Sequence, residues 1–434
     1  LTAAQVPAET RPARPAPPRG RLGVGTGTAL LTGAVLGPGV LALPHLAAAA
    51  AGPSAIIAWA ALLVLSAPVA LTFASLGVRH PDAGGVASFA RRAFGPRTSM
   101  AVGWWFFGVV PVGTVAGAMI GGDYVASAAG WGRPGAAAVT LALLAAAFAS
   151  NHGGLRLSGR VQLALVAALA VLLVVAIGTA IPHVRADAFT PFAPHGAVGV
   201  AQAAGVLFFA FAGWEAASHL SADFASGKSS ETGTLLRRAT VATLGLVGVL
   251  YLGLAMTVTG ALGSRAETSP VPLTLLLQDG IGQAAKPLTA VAAIALSFVA
   301  MNTYIAGGGR LGAALARDGA LPRALARGAD AGQVPHRSLV VLEVISGAVA
   351  AAALAFDLGL DPLMRATSAC LAAVTLVGVA AAVRLLPRGR SRALALTATV
   401  FVGVVALSCG FYLAIPAAVA LAVVLTVRPE PPGA

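Results

Sequence analysis

Gly33-Ala34-Val35-Leu36-Gly37-Pro38-Gly39-Val40-Leu41-Ala42 lies in the middle of an apolar run that extends from residue 24 to residue 50. A helix needs roughly 20 apolar residues to cross the hydrocarbon core of a bilayer, and this run is long enough. Its centre cannot be regular helix. Pro38 has no N–H to donate, and its ring clashes with the preceding turn. A glycine on each side removes the remaining helical bias. Backbone groups freed at membrane depth are tolerated only where they face protein or a water-filled cavity. The triplet Gly37-Pro38-Gly39 therefore predicts a helix broken in two. The first half ends near Leu36 with bare carbonyls, and the second begins near Val40 with bare N–H groups. Such N–H groups attract a carboxylate, and bare carbonyls suit an ammonium.

The rest of the chain agrees with a lipid solvent. Of its 434 residues, 58% are hydrophobic and only 10% charged, against about a quarter charged in soluble domains. Mean hydropathy is +0.87. Apolar runs lie near 24–50, 54–77, 98–127, 135–150, 159–181, 197–221, 238–263, 285–313, 338–356, 362–386, 393–409 and 411–427. This predicts an all-α integral membrane protein of twelve transmembrane helices, the last two divided only at Gly410. The net charge of +13 does not indicate nucleic acid, because the basic residues sit in short clusters between apolar runs rather than on one soluble face. Sorted over twelve spans, the Lys and Arg residues fall on one side, except Arg133, Arg185, Arg265, Lys286 and Arg365. The positive-inside rule then places both termini in the cytoplasm. Residues 1–22 and 428–434 read as cytoplasmic tails; the first is Pro-, Ala- and Arg-rich, without the apolar core of a secretory signal peptide.

A second interruption is expected five spans later, at Phe211-Ala212-Gly213-Trp214-Glu215. Interrupted helices at corresponding positions of two halves point to a transporter binding site. An odd repeat of five spans turns the second half upside down. The prediction is a five-plus-five inverted repeat, over about 24–181 and 197–386 within a core of 23–390, with discontinuous helices 1 and 6. Two extra helices follow in 391–427. Gly37, Pro38, Gly39, Val40, Ala212 and Gly213 would hold both ends of an amino acid's backbone, and Phe208 and Phe211 would form a side-chain pocket or lid. This pocket has no Lys or Arg and only Glu215 as an acid, which favours a neutral, apolar substrate.

Glu215 is the acid nearest the expected midplane, where an ionisable group is costly. It can lock the two half-helices, carry protons or touch substrate. With His219 one turn away on the same face, it forms a pair able to relay a proton, and Trp214, just before Glu215, is a further candidate for gating or coupling. Ser297 and Asn302 are candidate ion or substrate contacts, against the commoner use of such residues in helix packing. Asp123 and Glu343 are read as charges near span ends, and His45 as structural. Cys370 and Cys409 read as small buried hydrophobes.

At these residues the chain resembles the amino acid–polyamine–organocation (APC) superfamily of permeases, whose inverted-repeat (LeuT-like) architecture is then the expected fold. Gly37-Pro38-Gly39-Val40 matches that group's substrate-backbone motif. Pro81-Asp82-Ala83-Gly84-Gly85-Val86-Ala87-Ser88-Phe89 resembles its Pro-x-x-Gly-Gly signature, and Phe211 to Glu215 its Phe-x-Gly-x-Glu. Arg317-Asp318-Gly319 with Leu321-Pro322 is another recurrent string. Pro111-Val112-Gly113, Glu215-Ala216, His219-Leu220 and Asp223-Phe224 resemble the branch that exports methionine and branched-chain amino acids. One departure matters: some members carry a lysine in the fifth span, and here Gly159 to Ile181 has none, so their coupling mechanism does not transfer.

The expectation is thus a secondary transporter in the bacterial cytoplasmic membrane that exports neutral apolar amino acids by alternating access. It would use no cofactor and run on the proton motive force, with sodium left open. Import or exchange of the same substrates is the alternative, and a membrane sensor a further one. Expected partners are the bilayer and a small amino acid, with a homodimer left open. No metal-ligand spacing, nucleophile arrangement or Walker motif points to an enzyme or an ATP-driven pump.

Overall fold

The computed structural model describes residues 23–80, 85–154, 159–220, 229–328 and 333–426, without the side chains at 219, 220, 229, 230 and 232. Pro81 to Gly84, Asp223-Phe224 and both tails lie outside the described residues. Among the described residues the fold is all helix, with no strand. Ten helical stretches are long and apolar enough to cross a membrane. Two further apolar helices, Val24–Val35 and Gly410–Leu425, are shorter. The first of the ten, Leu43–Arg79, turns sharply at Gly52, with φ 59° and ψ −145°.

Burial sorts these helices into a centre and a periphery. In Pro96–Ala129 and Leu360–Leu385, 67% of the most apolar window is buried, but in Gly159–His183 only 28%. The peripheral helix exposes Val171 and Val174, and the Arg390–Ser408 helix exposes Val400, Val404 and Leu407. Exposed apolar faces of this extent need lipid rather than water. The central Pro96–Ala129 helix packs most extensively on Ala285–Arg317 and Gly132–His152. Its small residues permit that approach: a methyl group at Gly122 would come within 2.5 Å of the Ala136 carbonyl oxygen.

Helix ends follow local chemistry. Pro96 opens its helix, where a missing N–H costs nothing. Gly130, left-handed at φ 69°, closes it. Three helices were not foreseen: Gly85–Phe94, Arg265–Thr268 and Pro272–Ile281. None has a 20-residue apolar run. Gly85–Phe94 is amphipathic, burying Val86, Phe89 and Ala90 while exposing Arg91 and Arg92.

Candidate functional site

Both expected breaks are present. The Val24–Val35 helix stops at Val35, Pro38–Leu41 forms a single 3-10 turn, and helix resumes at Leu43–Ala51. The second half starts three residues later than the glycine spacing suggested. Pro38 suits the first position of the 3-10 turn and Pro44 the first turn of the new helix, so the chain takes an extra turn between them. The Gly196–Phe211 helix likewise stops at Phe211. Ala212 to Glu215 form a turn, and the short helix Ala216–Leu220 follows.

The two breaks touch. Gly213 has φ 111°, a conformation L side chains rarely adopt, and a methyl group there would collide with the Ala34 carbonyl oxygen. Gly39 lies under the ring of Phe209, whose carbons would stand 2.7 Å from an added Cβ. The breaks thus meet through backbone at one point and through an aromatic ring at another.

Hydrogen bonding leaves backbone groups free. The Leu36 N–H bonds Thr32 at 2.7 Å, Gly37 bonds Val35 at 3.1 Å, and Val40 bonds the Gly37 carbonyl at 3.3 Å. Among the described residues, the carbonyls of Leu36, Phe211 and Ala212 and the N–H of Gly39 have no partner. Of the predicted residues, Pro38, Gly39, Val40, Phe208, Phe211 and Trp214 are buried, and Gly37, Ala212, Gly213 and Glu215 partly so. The Trp214 indole N–H is fully buried and has no partner among the described residues.

Glu215 turns back on its own break: Gly213 N–H donates to its Oε2 at 3.0 Å, and the Ser218 hydroxyl donates to its carbonyl at 2.6 Å. His219 falls within the Ala216–Leu220 helix, and its side chain lies outside the described part. Ser297 is fully buried beside Gly121, its hydroxyl without a partner among the described residues. Asn302 faces a different helix: its Oδ1 accepts from Ser150 at 2.7 Å and from Asn151 at 2.8 Å. Glu343 accepts from His152 Nε2 at 3.3 Å, and His152 Nδ1 meets His336 Nδ1 at 3.1 Å.

Three aromatic residues that the sequence reading passed over hold the site together. The Tyr251 hydroxyl lies 3.1 Å from the Val35 carbonyl and 3.3 Å from that of Ala210, reaching the last turn before each break. Tyr124 donates to the Leu41 carbonyl at 2.8 Å, at the end of the 3-10 turn. Trp59, Phe211 and Tyr251 form a cluster with ring centroids 5.1 to 6.0 Å apart. A signal existed: the chain has only four tyrosines, and a phenol in an apolar span must find an acceptor.

A cavity of about 570 Å3 opens at the end of the bundle that carries Arg133, Asp357 and Gly359. No residue of either break lines it. Its wall includes His45 and Leu46, just past the first break, and Val115, Met119 and Asp123, which recur every fourth residue on one helix face. Asp123 is therefore turned to a cavity rather than outward to headgroups.

Sequence comparison gives this geometry a lineage. The family model described as Amino acid permease matches residues 22–431. The uncharacterized amino acid permease YecA of Bacillus subtilis is 31% identical, over 83% of this chain and 84% of its own length. The L-methionine/branched-chain amino acid exporter YjeH of Escherichia coli is 33% identical, over 67% and 68%. The branched-chain amino acid permease BcaP of Bacillus subtilis is 25% identical, over 69% and 68%. A broken apolar helix with unpaired backbone at its centre, a second break against it and a match over nearly the whole chain make this protein a member of the amino acid permease family, a membrane transporter and not an enzyme.

Proposed function

We propose that the protein exports neutral, apolar L-amino acids of the methionine, leucine, isoleucine and valine type across the bacterial cytoplasmic membrane. The supporting observation is the set of unpaired backbone groups at the breaks. The Leu36, Phe211 and Ala212 carbonyls suit an ammonium, and the Gly39 N–H suits a carboxylate. Phe208, Phe209, Phe211 and Trp214 are the large side chains beside them, and no Lys or Arg occurs in either break. Glu215, engaged with Gly213 N–H, serves as a lock between the half-helices rather than as a ligand for a cationic side chain. The names of the exporter and branched-chain permease among the relatives agree with an apolar substrate.

The architecture that goes with this reading has twelve crossings. The first is the pair of half-helices 24–35 and 43–51, and the last runs from Gly410. The second break falls five crossings after the first, an odd offset as an inverted repeat requires. The arginine-rich loops face the cytoplasm, so the 570 Å3 cavity faces outward. Alternating access would close this cavity and open the opposite side, powered by the proton gradient, with His219 available near the cytoplasmic end. Import or exchange is the competing direction. Cells loaded with methionine- and leucine-containing dipeptides should release the free amino acids faster with the gene than without it. Equal release would overturn the exporter reading for these substrates.

A further inference from the structure

Asp123 is a charge that the proposed transport site does not use. It stands in a helix, Pro96–Ala129, whose sole other charged side chain is Arg97 at the far end. It lines the 570 Å3 cavity, with Met119 and Val115 below it on the same face. Across the cavity are His45 and Leu46, in the first turn of the helix that follows the first break. The next residue, Tyr124, bonds the Leu41 carbonyl of that break. The carboxylate thus lines the cavity and stands one residue from a side chain that holds the segment between the two halves of the first helix.

The other titratable groups around the cavity are engaged elsewhere. His45 Nδ1 is 3.1 Å from the Ala266 carbonyl. Arg133 pairs with Asp357 at 2.8 Å, and Arg365 pairs with Asp361 at 2.7 Å. The Ala285–Arg317 helix, packed against the Asp123 helix, contributes no residue to the cavity wall. Among the described residues Asp123 has neither an ion pair nor a side-chain hydrogen bond.

From this placement, and resting on the transport reading above, we infer that Asp123 is the outward-facing proton site, whose neutralisation permits closure of the cavity. The physical reason is desolvation. An ionised carboxylate is tolerated in an open, water-accessible cavity, but a closed apolar one strips its water and supplies no cation in return. Closure therefore favours the protonated acid. One proton from outside enters with each inward closure; opening of the cytoplasmic side readmits water, which resolvates the carboxylate and accepts the proton, while the amino acid leaves in the opposite half of the cycle. Glu215 is less suited to this task, since its carboxylate already accepts the Gly213 N–H.

The test uses full-length protein in liposomes, with radiolabelled leucine as the probe. Leucine counterflow without a gradient reports substrate binding and alternation; flux under an imposed pH gradient reports coupling. For Asp123→Asn, the expected result is counterflow that persists and gradient-driven flux that falls to the level of protein-free liposomes. For Asp123→Glu, gradient-driven flux should persist with a shifted pH midpoint. Concentration of leucine by Asp123→Asn under the gradient would overturn the inference, as would loss of coupling in Glu215→Gln alone. If Asp123→Asn does not fold, Asp123→Glu decides, and an unchanged midpoint counts against Asp123. A wild-type protein that ignores the pH gradient but shows counterflow sinks the inference and leaves the transport reading standing. Absence of wild-type counterflow for leucine and methionine sinks the reading itself.

Discussion

Gly213 and Tyr251 hold the two breaks together by opposite means, one through a missing side chain and one through a hydroxyl. At Gly213, φ is 111° and a Cβ would strike the Ala34 carbonyl. Gly213→Ala therefore combines backbone strain of about 1–3 kcal/mol with a steric push between the half-helices. Its melting temperature in detergent should fall and leucine transport should be lost; an unchanged melting curve would mean that the breaks do not meet there. Tyr251→Phe keeps the ring in its cluster with Trp59 and Phe211 but removes the hydroxyl that serves the Val35 and Ala210 carbonyls. Leaving buried acceptors unpaired costs about 1–3 kcal/mol. The expected outcome is a lower melting temperature with the aromatic environment intact, measured as unaltered near-ultraviolet circular dichroism. Gly213 was legible because a glycine between Phe211 and Glu215 is a local signal. Tyr251 was not, because the carbonyls it reaches lie 216 and 41 residues away.

Between elements, the contact of Gly39 with Phe209 makes the first break depend on the helix before the second. Adding a methyl at Gly39 forces the Phe209 ring to move, since 2.7 Å is well inside carbon–carbon contact. Gly39→Ala should slow transport, and Phe209→Ala should make room for it. In a double-mutant cycle, the Gly39→Ala/Phe209→Ala protein should be faster than the product of the single effects predicts; strict additivity would show that the two residues do not communicate. The ten long apolar helices were readable, most of them to within a few residues, because an apolar run of that length is set by the bilayer thickness rather than by tertiary packing. The restart of helix at Leu43 rather than near Val40 was not, because Pro44 acts together with Pro38 and only the latter was weighed. The helices Gly85–Phe94 and Pro272–Ile281 escaped for a different reason: they are too short for an apolar window, and packing defines them.

At the scale of the whole molecule, one proposed asymmetry orders everything else: sorted over twelve crossings, the arginines of the sequence fall on one side. His152, His336 and Glu343 also form a contact chain between two helices, so Glu343 has an ionisable partner where the sequence offered only a span-end charge. The opposite end carries Arg133, which is exposed and paired with Asp357, and the mouth of the cavity that holds Asp123. Cytoplasmic loops of membrane proteins retain Lys and Arg because translocating them is costly. If that rule governs this chain, Arg133 faces outside and Arg388 faces the cytoplasm. The two positions suit a labelling test, because Cys370 and Cys409 are buried and should not compete. In whole cells, Arg133→Cys should react with a membrane-impermeant maleimide, and Arg388→Cys should react only after permeabilisation. The exposed Arg133–Asp357 pair contributes little to stability, roughly 0–1 kcal/mol, so its loss leaves the fold intact for the assay. Labelling of both positions from outside would break the odd number of crossings between them and the assignment of the cavity to the outer face. The reverse pattern would invert the whole molecule and turn Asp123 to the cytoplasm, where it would release the proton rather than take it up; export would persist, because the inward proton gradient drives an antiporter in the same direction whichever way it faces.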